Sequence, residues 1–196
     1  MTTTHTPSHQ HDSVEGSLNH IDCVLIDRDG VVNFDSEDYI KHPDEWHPIP
    51  GALEAIARMQ AVMDVAICTN QSGVGRGLYD LKTLEAIHSK MCRALQAVGG
   101  QPINIHFCPH LPDAGCACRK PKPGLLHDAL NALNKDPRHT LFVGDSAKDL
   151  DAADAAGCLP VLVLTGNGTK TLASRGEHPV TFDNLAHLAD TILARR

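Results

Sequence analysis

Apolar runs and helical stripes alternate along this chain. Short apolar runs fall at 21–26, 65–69, 103–107, 140–143 and 160–164. Such runs, bounded by turn residues, read as strands buried on both faces, the pattern of a parallel sheet. Between them the spacing turns helical. Residues Ala52 to Met59 follow a Pro-Gly start. Asp80 stands as an N-cap before Leu81, Leu84, Ile87, Met91, Leu95 and Val98, and Gly99-Gly100 ends that stripe. Pro123 suits a first helical position ahead of Leu125, Leu126, Ala129, Leu130 and Leu133. A further stripe, Ala147 to Ala156, stops at Gly157, and Leu185 to Ala194 is the last. Alternation of this kind predicts an α/β fold, a doubly wound three-layer sandwich around a mostly parallel sheet.

Residues 1–20 break the pattern. They are polar and rich in Thr, Ser and His, with no apolar centre for a secretory signal. The expectation is a disordered tail, in which His5, His9, His11 and His20 are solvated, ahead of a single domain over 21–196. A length of 196 residues is enough for a full core, and 42% hydrophobic with 21% charged residues is ordinary for a globular chain. The net charge of −7 argues against a nucleic-acid partner or an anionic membrane surface. No apolar run approaches the roughly 20 residues that span a bilayer. Of the seven cysteines, Cys23 and Cys68 sit in strand-like runs, and Cys92 and Cys158 in or after helical ones. Those four read as small buried hydrophobes. Without an export signal the compartment is expected to be the reducing cytoplasm, where clustered cysteines point to metal rather than disulfides.

Chemistry gathers where the strands end. The first run empties into Asp27-Arg28-Asp29-Gly30, two carboxylates spaced i, i+2. Buried carboxylates are costly unless paired, hydrogen-bonded or metal-bound, and the carboxyl ends of strands are where open α/β sheets bind ligands. The second run leads into Thr69-Asn70-Gln71-Ser72-Gly73-Val74-Gly75-Arg76-Gly77, whose glycines let backbone N–H groups approach an anion. Its spacing is neither a Walker loop nor a dinucleotide fingerprint. The fourth run ends in Gly144-Asp145-Ser146-Ala147-Lys148-Asp149, where Asp145 is either a ligand or a helix cap. Arg119-Lys120-Pro121-Lys122 places three cations just before a helix start, which itself favours an anion. The topology brings Asp27, Thr69, Lys120 and Asp145 to one crevice. Acids there can hold Mg²⁺ through oxygen, and the hydroxyl, amide and lysine donors suit a phosphoryl group. The inventory fits phosphoryl transfer through an aspartyl nucleophile. A non-enzymatic phospho-acceptor module would use similar groups, but with adjacent acids after its first strand.

In order and spacing these motifs resemble the haloacid dehalogenase superfamily of phosphatases, over essentially all of residues 21–195. The closest branch is that of the heptose-bisphosphate and histidinol-phosphate phosphatases, and Asp-Arg-Asp-Gly-x-x-Asn with Thr-Asn-Gln-Ser-Gly-x-x-Arg-Gly is specific for it. The resemblance implies a Mg²⁺-dependent phosphatase with Asp27 as nucleophile and Asp29 as general acid and base. Mg²⁺ would lie on the carboxylates of Asp27 and Asp145 and the backbone carbonyl of Asp29. Thr69 and Lys120 would stabilise the phosphoryl group, with Asp149 supporting them from behind. It implies substrate contacts at Asp35, Ser36, Glu37, Asp38, Asn70, Gln71, Ser72, Arg119 and Ser146. Cys108-Pro109-His110 and Cys116-Ala117-Cys118 supply three thiolates and an imidazole, a full tetrahedral set for structural Zn²⁺, as this branch uses. His106 reads as a strand residue outside that set. With no long insertion after Asn33 or Gly77 there is no cap domain, so short loops must select the substrate. The implied substrate is a small phosphorylated sugar, D-glycero-D-manno-heptose 1,7-bisphosphate cleaved at C7 for lipopolysaccharide precursor synthesis, with histidinol phosphate the alternative. Cations for its second phosphate would be Arg119, Lys122, Arg76 and Lys148. The expected state is a monomer.

Overall fold

The computed structural model describes residues 20–175 and 179–196. The expected tail lies outside the described residues except for His20, which is exposed. Six strands form one sheet: β1 (Cys23–Ile26), β2 (Asp64–Asn70), β3 (Asn104–Cys108), β4 (Thr140–Gly144), β5 (Leu159–Val163) and β6 (Val180–Phe182). Their spatial order is β3-β2-β1-β4-β5-β6, and every adjacent pair is parallel. The helices are α1 (Ala52–Gln60), α2 (Ser72–Gly75), α3 (Leu81–Ala97), α4 (Gly124–Leu133), α5 (Ala147–Ala156), α6 (Gly168–Ser174) and α7 (Leu185–Leu193).

Alternate residues of β1 feed opposite layers, as the strand period requires. Val24 and Ile26 join Ile56 and Met59 of α1, Ile87 and Met91 of α3, and Leu188 and Ile192 of α7. Cys23 and Leu25 join Leu126 and Leu130 of α4 and Ala152 and Ala153 of α5. Each large apolar side chain removed from water here is worth about 1.5–3 kcal/mol. With both faces covered, β1 has no solvent side, which explains its unbroken apolar run. The chain leaves β1 for β2 and β3 on one side, then returns to β4, β5 and β6 on the other. That reversal beside β1 opens a crevice at the carboxyl ends of β1, β2 and β4.

Some boundaries differ from the sequence reading. Ile21 is buried in the core but precedes the β1 ladder. Pro123 is the N-cap of α4, one residue before the helix begins at Gly124. Both β6, with three residues, and α2, with four, are too short to show a period. The Gly-Thr-Lys-Thr start of α6 has no apolar stripe to reveal it. The segment joining β1 to α1 folds back over the crevice instead of forming a cap domain. Ile49 N–H donates to Val32 O at 2.9 Å and Phe34 N–H to His47 O at 3.1 Å. Lys90 of α3 secures it by donating to Pro43 O at 2.7 Å and Trp46 O at 2.9 Å.

Candidate active site

Asp27 follows directly from β1, with its N–H on Val143 O of β4 at 2.9 Å. Its Oδ1 accepts from the Arg28 N–H at 2.8 Å and lies 2.8 Å from Lys120 Nζ. Lys120 is completely buried and reaches Asp149 Oδ1 at 2.7 Å as well. Its ammonium stands 5.1 Å from the centre of the Phe142 ring. Asn70 grips the Lys120 backbone with both ends of its amide, at 3.1 and 3.2 Å. The Asn70 amide is therefore engaged in holding Lys120. Asp145 Oδ2 accepts from Asn167 N–H at 2.7 Å and from its side-chain amide at 3.2 Å. The backbone must come close here: a Cβ on Gly30, at φ +83°, would stand 2.2 Å from Asp145 Oδ2.

Asp29 sits in a second cluster. Arg28 clasps it with Nε at 3.0 Å and Nη2 at 2.8 Å, Asn33 Nδ2 donates at 2.9 Å and Gln71 Nε2 at 2.8 Å. Burial alone would push Asp29 up, but the Arg28 charge and these donors outweigh it and hold the carboxyl below its ordinary range. Asp27 moves the other way: burial pushes it up to about 7, against the pull of Lys120, with Asp149 and Asp145 adding to the rise. Burial likewise lifts Asp145 to about 6, partly offset by the Asn167 N–H. Asp149 is kept low because Lys120, Lys148 and the Ser146 hydroxyl outweigh its burial. Burial would depress Lys120, yet Asp149 and Asp27 together hold it above its usual value.

The crevice is a cavity of about 280 Å³. Asp27, Asp29, Asp145, Thr69, Asn70, Gln71 and Ser72 line it, as do Asp35, Ser36, Glu37 and Arg119. Two expected substrate residues are not among its walls. Asp38 is exposed and gives its N–H to Ser36 Oγ, so the loop turns it away. Ser146 is the N-cap of α5, with its hydroxyl on Asp149 Oδ2 in a capping box. It, and not Asp145, is the cap. Of the cations expected for a second phosphate, Arg119 and Lys148 line the cavity. Lys122 instead donates to Gly115 O and Cys116 O, and Arg76 lies 6.0 Å from the Tyr39 ring centre. Sequence reasoning gave no site role to Arg28, Tyr39, Tyr79 or Asn167, which also line the cavity. Asn167 was discoverable, since a Gly-Asn-Gly run after β5 is another strand end; nothing in the sequence marks Tyr79.

Beside the crevice, Cys108, His110, Cys116 and Cys118 gather their donor atoms within 4.8 Å of one another. The Cys108–Cys116 Sγ separation is 3.8 Å, and His110 Nδ1 lies 3.5 and 3.3 Å from the Cys108 and Cys118 sulfurs. A tetrahedron with Zn–S of about 2.3 Å and Zn–N of about 2.1 Å has edges of roughly 3.5–3.8 Å. The donor set therefore fits zinc and leaves no open position. His106 stays in β3, outside the cluster.

Comparison with known proteins decides the family. The family model of HAD-hydrolase-like proteins matches residues 117–191. A D-glycero-β-D-manno-heptose-1,7-bisphosphate 7-phosphatase of Bordetella bronchiseptica is 52% identical over 173 residues, 87% of this chain and 97% of the relative. The enzyme of that name from Pseudomonas aeruginosa is 51% identical over 172 residues, covering 87% and 97%. The chain belongs to the haloacid dehalogenase-like phosphatases. The crystal structure of the Bordetella bronchiseptica heptose 1,7-bisphosphate phosphatase, complexed with magnesium and phosphate, matches this phosphatase with a TM-score of 0.86. It is 50% identical and covers 90% of this chain and all of that one. The Burkholderia thailandensis enzyme matches with a TM-score of 0.69 at 43% identity, covering 88% and 98%.

As a phosphatase, the chain is not the phospho-acceptor module its strand-end acids also suggested. Its carboxylates suit magnesium: oxygens of Asp27, Asp145 and Asp149 lie within 4.8 Å of one another. Both Asp149 oxygens are already taken, by Lys120 and by Ser146. Asp27 and Asp145 are then the carboxylates that could hold the ion.

Proposed function

We propose that this phosphatase, folding as one unit over 21–196, hydrolyses the C7 phosphate of D-glycero-β-D-manno-heptose 1,7-bisphosphate through an aspartyl-phosphate on Asp27. The observation that carries it is Asp27 held 2.8 Å from a buried lysine in a cavity shared with Asp29 and Asp145. Relatives half identical in sequence bear the corresponding name, including its β anomer. Magnesium on Asp27, Asp145 and the Asp29 carbonyl would offset the repulsion between an anionic nucleophile and an anionic ester.

In the first step the Asp27 carboxylate attacks phosphorus, the bond from phosphorus to the C7 oxygen breaks, and Asp29 protonates that oxygen. The approaching phosphate dianion supplies the like charge that lets Asp29 take up a proton beforehand. Lys120 and Thr69 meet the charge on the transferring group. In the second step water attacks the aspartyl-phosphate, Asp29 accepts its proton, and the Asp27 oxygen leaves. Arg119 and Lys148 supply cations for the C1 phosphate, while Asp35, Ser36 and Glu37 accept from sugar hydroxyls. The net charge of −7 gives no footing for nucleic acid, and cysteines free of disulfides that can hold zinc suit a reducing cytoplasm. Among the described residues no helix is long and apolar enough to cross a membrane. We take the chain to act as a monomer.

The test compares kcat/KM for both heptose bisphosphate anomers, histidinol phosphate and fructose 1,6-bisphosphate side by side. The β anomer is expected to lead. A tenfold preference for histidinol phosphate, about 1.4 kcal/mol in transition-state binding, would overturn the substrate while leaving the chemistry.

A further inference from the structure

We infer that Tyr79, a residue outside the reacting groups, sets the direction of hydrogen bonding across the site by fixing the side-chain amide of Gln71. The inference rests on the phosphatase mechanism proposed above. Tyr79 lies just before α3, with its ring buried against the loop that follows β2. Its phenol donates to Gln71 Oε1 at 2.8 Å. Burial pushes that phenol up to about 12, so at neutral pH it keeps its proton and remains a donor. With Oε1 committed to Tyr79, the other end of the amide is fixed by elimination. Nε2 donates to Asp29 Oδ2 at 2.8 Å and to Thr69 Oγ1 at 2.9 Å.

That polarity has consequences for both partners. A flipped amide would aim its oxygen at the Asp29 carboxylate, a repulsive contact between two acceptors. Thr69, because its oxygen accepts from Gln71, has its own hydroxyl hydrogen free to donate into the cavity it lines. One buried phenol thus determines that Asp29 accepts from the amide and that the Thr69 hydroxyl is left to donate its hydrogen. The seat for this phenol is built into the loop. A Cβ on Gly73 would meet Tyr79 Cε1 at 2.2 Å and its hydroxyl at 2.8 Å, so any larger residue there must displace the ring. The backbone is anchored on the far side, where Gln71 N–H donates to Cys108 O at 2.7 Å. Gln71 is thereby held at both its main chain and its side chain, and Tyr79 is a positioning residue acting through it.

Tyr79→Phe removes only the hydroxyl and keeps the ring against Gly73. We expect kcat for the sugar bisphosphate to fall about tenfold with KM unchanged. The side-chain NH₂ resonances of Gln71 in a ¹⁵N-labelled sample should also move from their wild-type positions. In a Gln71→Ala background the same change should have no further effect, since Tyr79 acts only through that amide. Gly73→Ala, which displaces the ring, should reproduce the loss of kcat. Wild-type kcat in Tyr79→Phe would overturn the inference. So would a rise in KM at unchanged kcat, which would make Tyr79 a substrate contact, or losses that multiply with Gln71→Ala. Asp27→Asn measured beside them separates the two levels: if it still turns over, the mechanism itself fails, and only if it is dead do the Tyr79 results bear on the relay.

Discussion

At the residue scale, the site is a set of buried charges that stabilise one another. Lys120 is fully buried between Asp27 and Asp149, so each carboxylate depends on it. Lys120→Met should leave two buried carboxylates uncompensated and cost about 3–5 kcal/mol of stability, a loss urea unfolding will register. Phosphate release should fall with it. Asp27→Asn should abolish turnover, because an amide is a poor nucleophile and a weaker ligand for magnesium. Asp29→Asn should reduce kcat by about 10²–10⁴, the share that general acid–base catalysis supplies. Near-normal steady-state hydrolysis by either variant would remove that residue from its role. These residues stand out in sequence because carboxylates at the end of an apolar run demand a reason. Others did not, because their reasons lie in distant parts of the chain. Gly30 reads as a turn residue, yet its lack of a Cβ also clears room for Asp145, more than a hundred positions away. Tyr79 reads as nothing in particular until its phenol is seen on Gln71.

At the element scale, the zinc loop and the catalytic loops are one construction. Gln71 N–H and Gly75 N–H donate to Cys108 O and Pro109 O, and Arg119 Nη1 donates to His110 O at 3.3 Å. At the loop's other end, Gly124 N–H donates to Ala117 O at 3.2 Å. Loosening the loop should therefore disturb both the β2–α2 turn and the approach to Lys120. Purified protein should carry about one zinc per chain. Cys116→Ser or chelation should lower the melting temperature, by about 2–4 °C for each kcal/mol lost in a chain of this size, and reduce activity together with it. Zinc-free protein with wild-type melting and turnover would show that the four donors hold no structural ion. The donor spacing was legible because a Cys-x-His and a Cys-x-Cys so close in sequence match a tetrahedral zinc set. Long elements were legible too: α3 and its Asp80 cap, which accepts from Thr83 N–H at 2.7 Å, and α5 with its Gly157 stop agree with the pattern. The pieces that escaped, α2, α6 and β6, are those too short or too polar for a period to accumulate.

At the scale of the whole molecule, alternation of strand and helix made the layers legible but not the strand order, since the choice of neighbour for β4 is settled by packing across the sheet. The same packing seals groups whose titration couples to folding. His88, on the buried face of α3, is driven down to about 3 by burial and by the nearby Arg28 charge. Its ring meets Phe107 edge-on at 5.7 Å, and its Nε2 has no hydrogen-bond partner among the described residues. An unfolded histidine titrates near 6.5. Between about 6.5 and 3 the unfolded chain therefore binds a proton that the folded chain refuses, so stability is fully present above 6.5 and is lost as pH falls. The slope for one group is at most about 1.4 kcal/mol per pH unit. The raised carboxyls of Asp27 and Asp145 act with the opposite sign, because there the folded state holds protons that the unfolded state has released. The wild-type profile is a sum of these, and the His88 part emerges only as a difference. His88→Phe keeps an aromatic ring against Phe107 and removes the titration. The stability gap between variant and wild type, from urea unfolding at a series of pH values, should widen in favour of the variant as pH drops from 6.5 to 4.5, by about 1.4 kcal/mol per unit at most. A gap that stays constant over that range would mean that His88 takes up its proton as readily in the folded protein as in the unfolded chain.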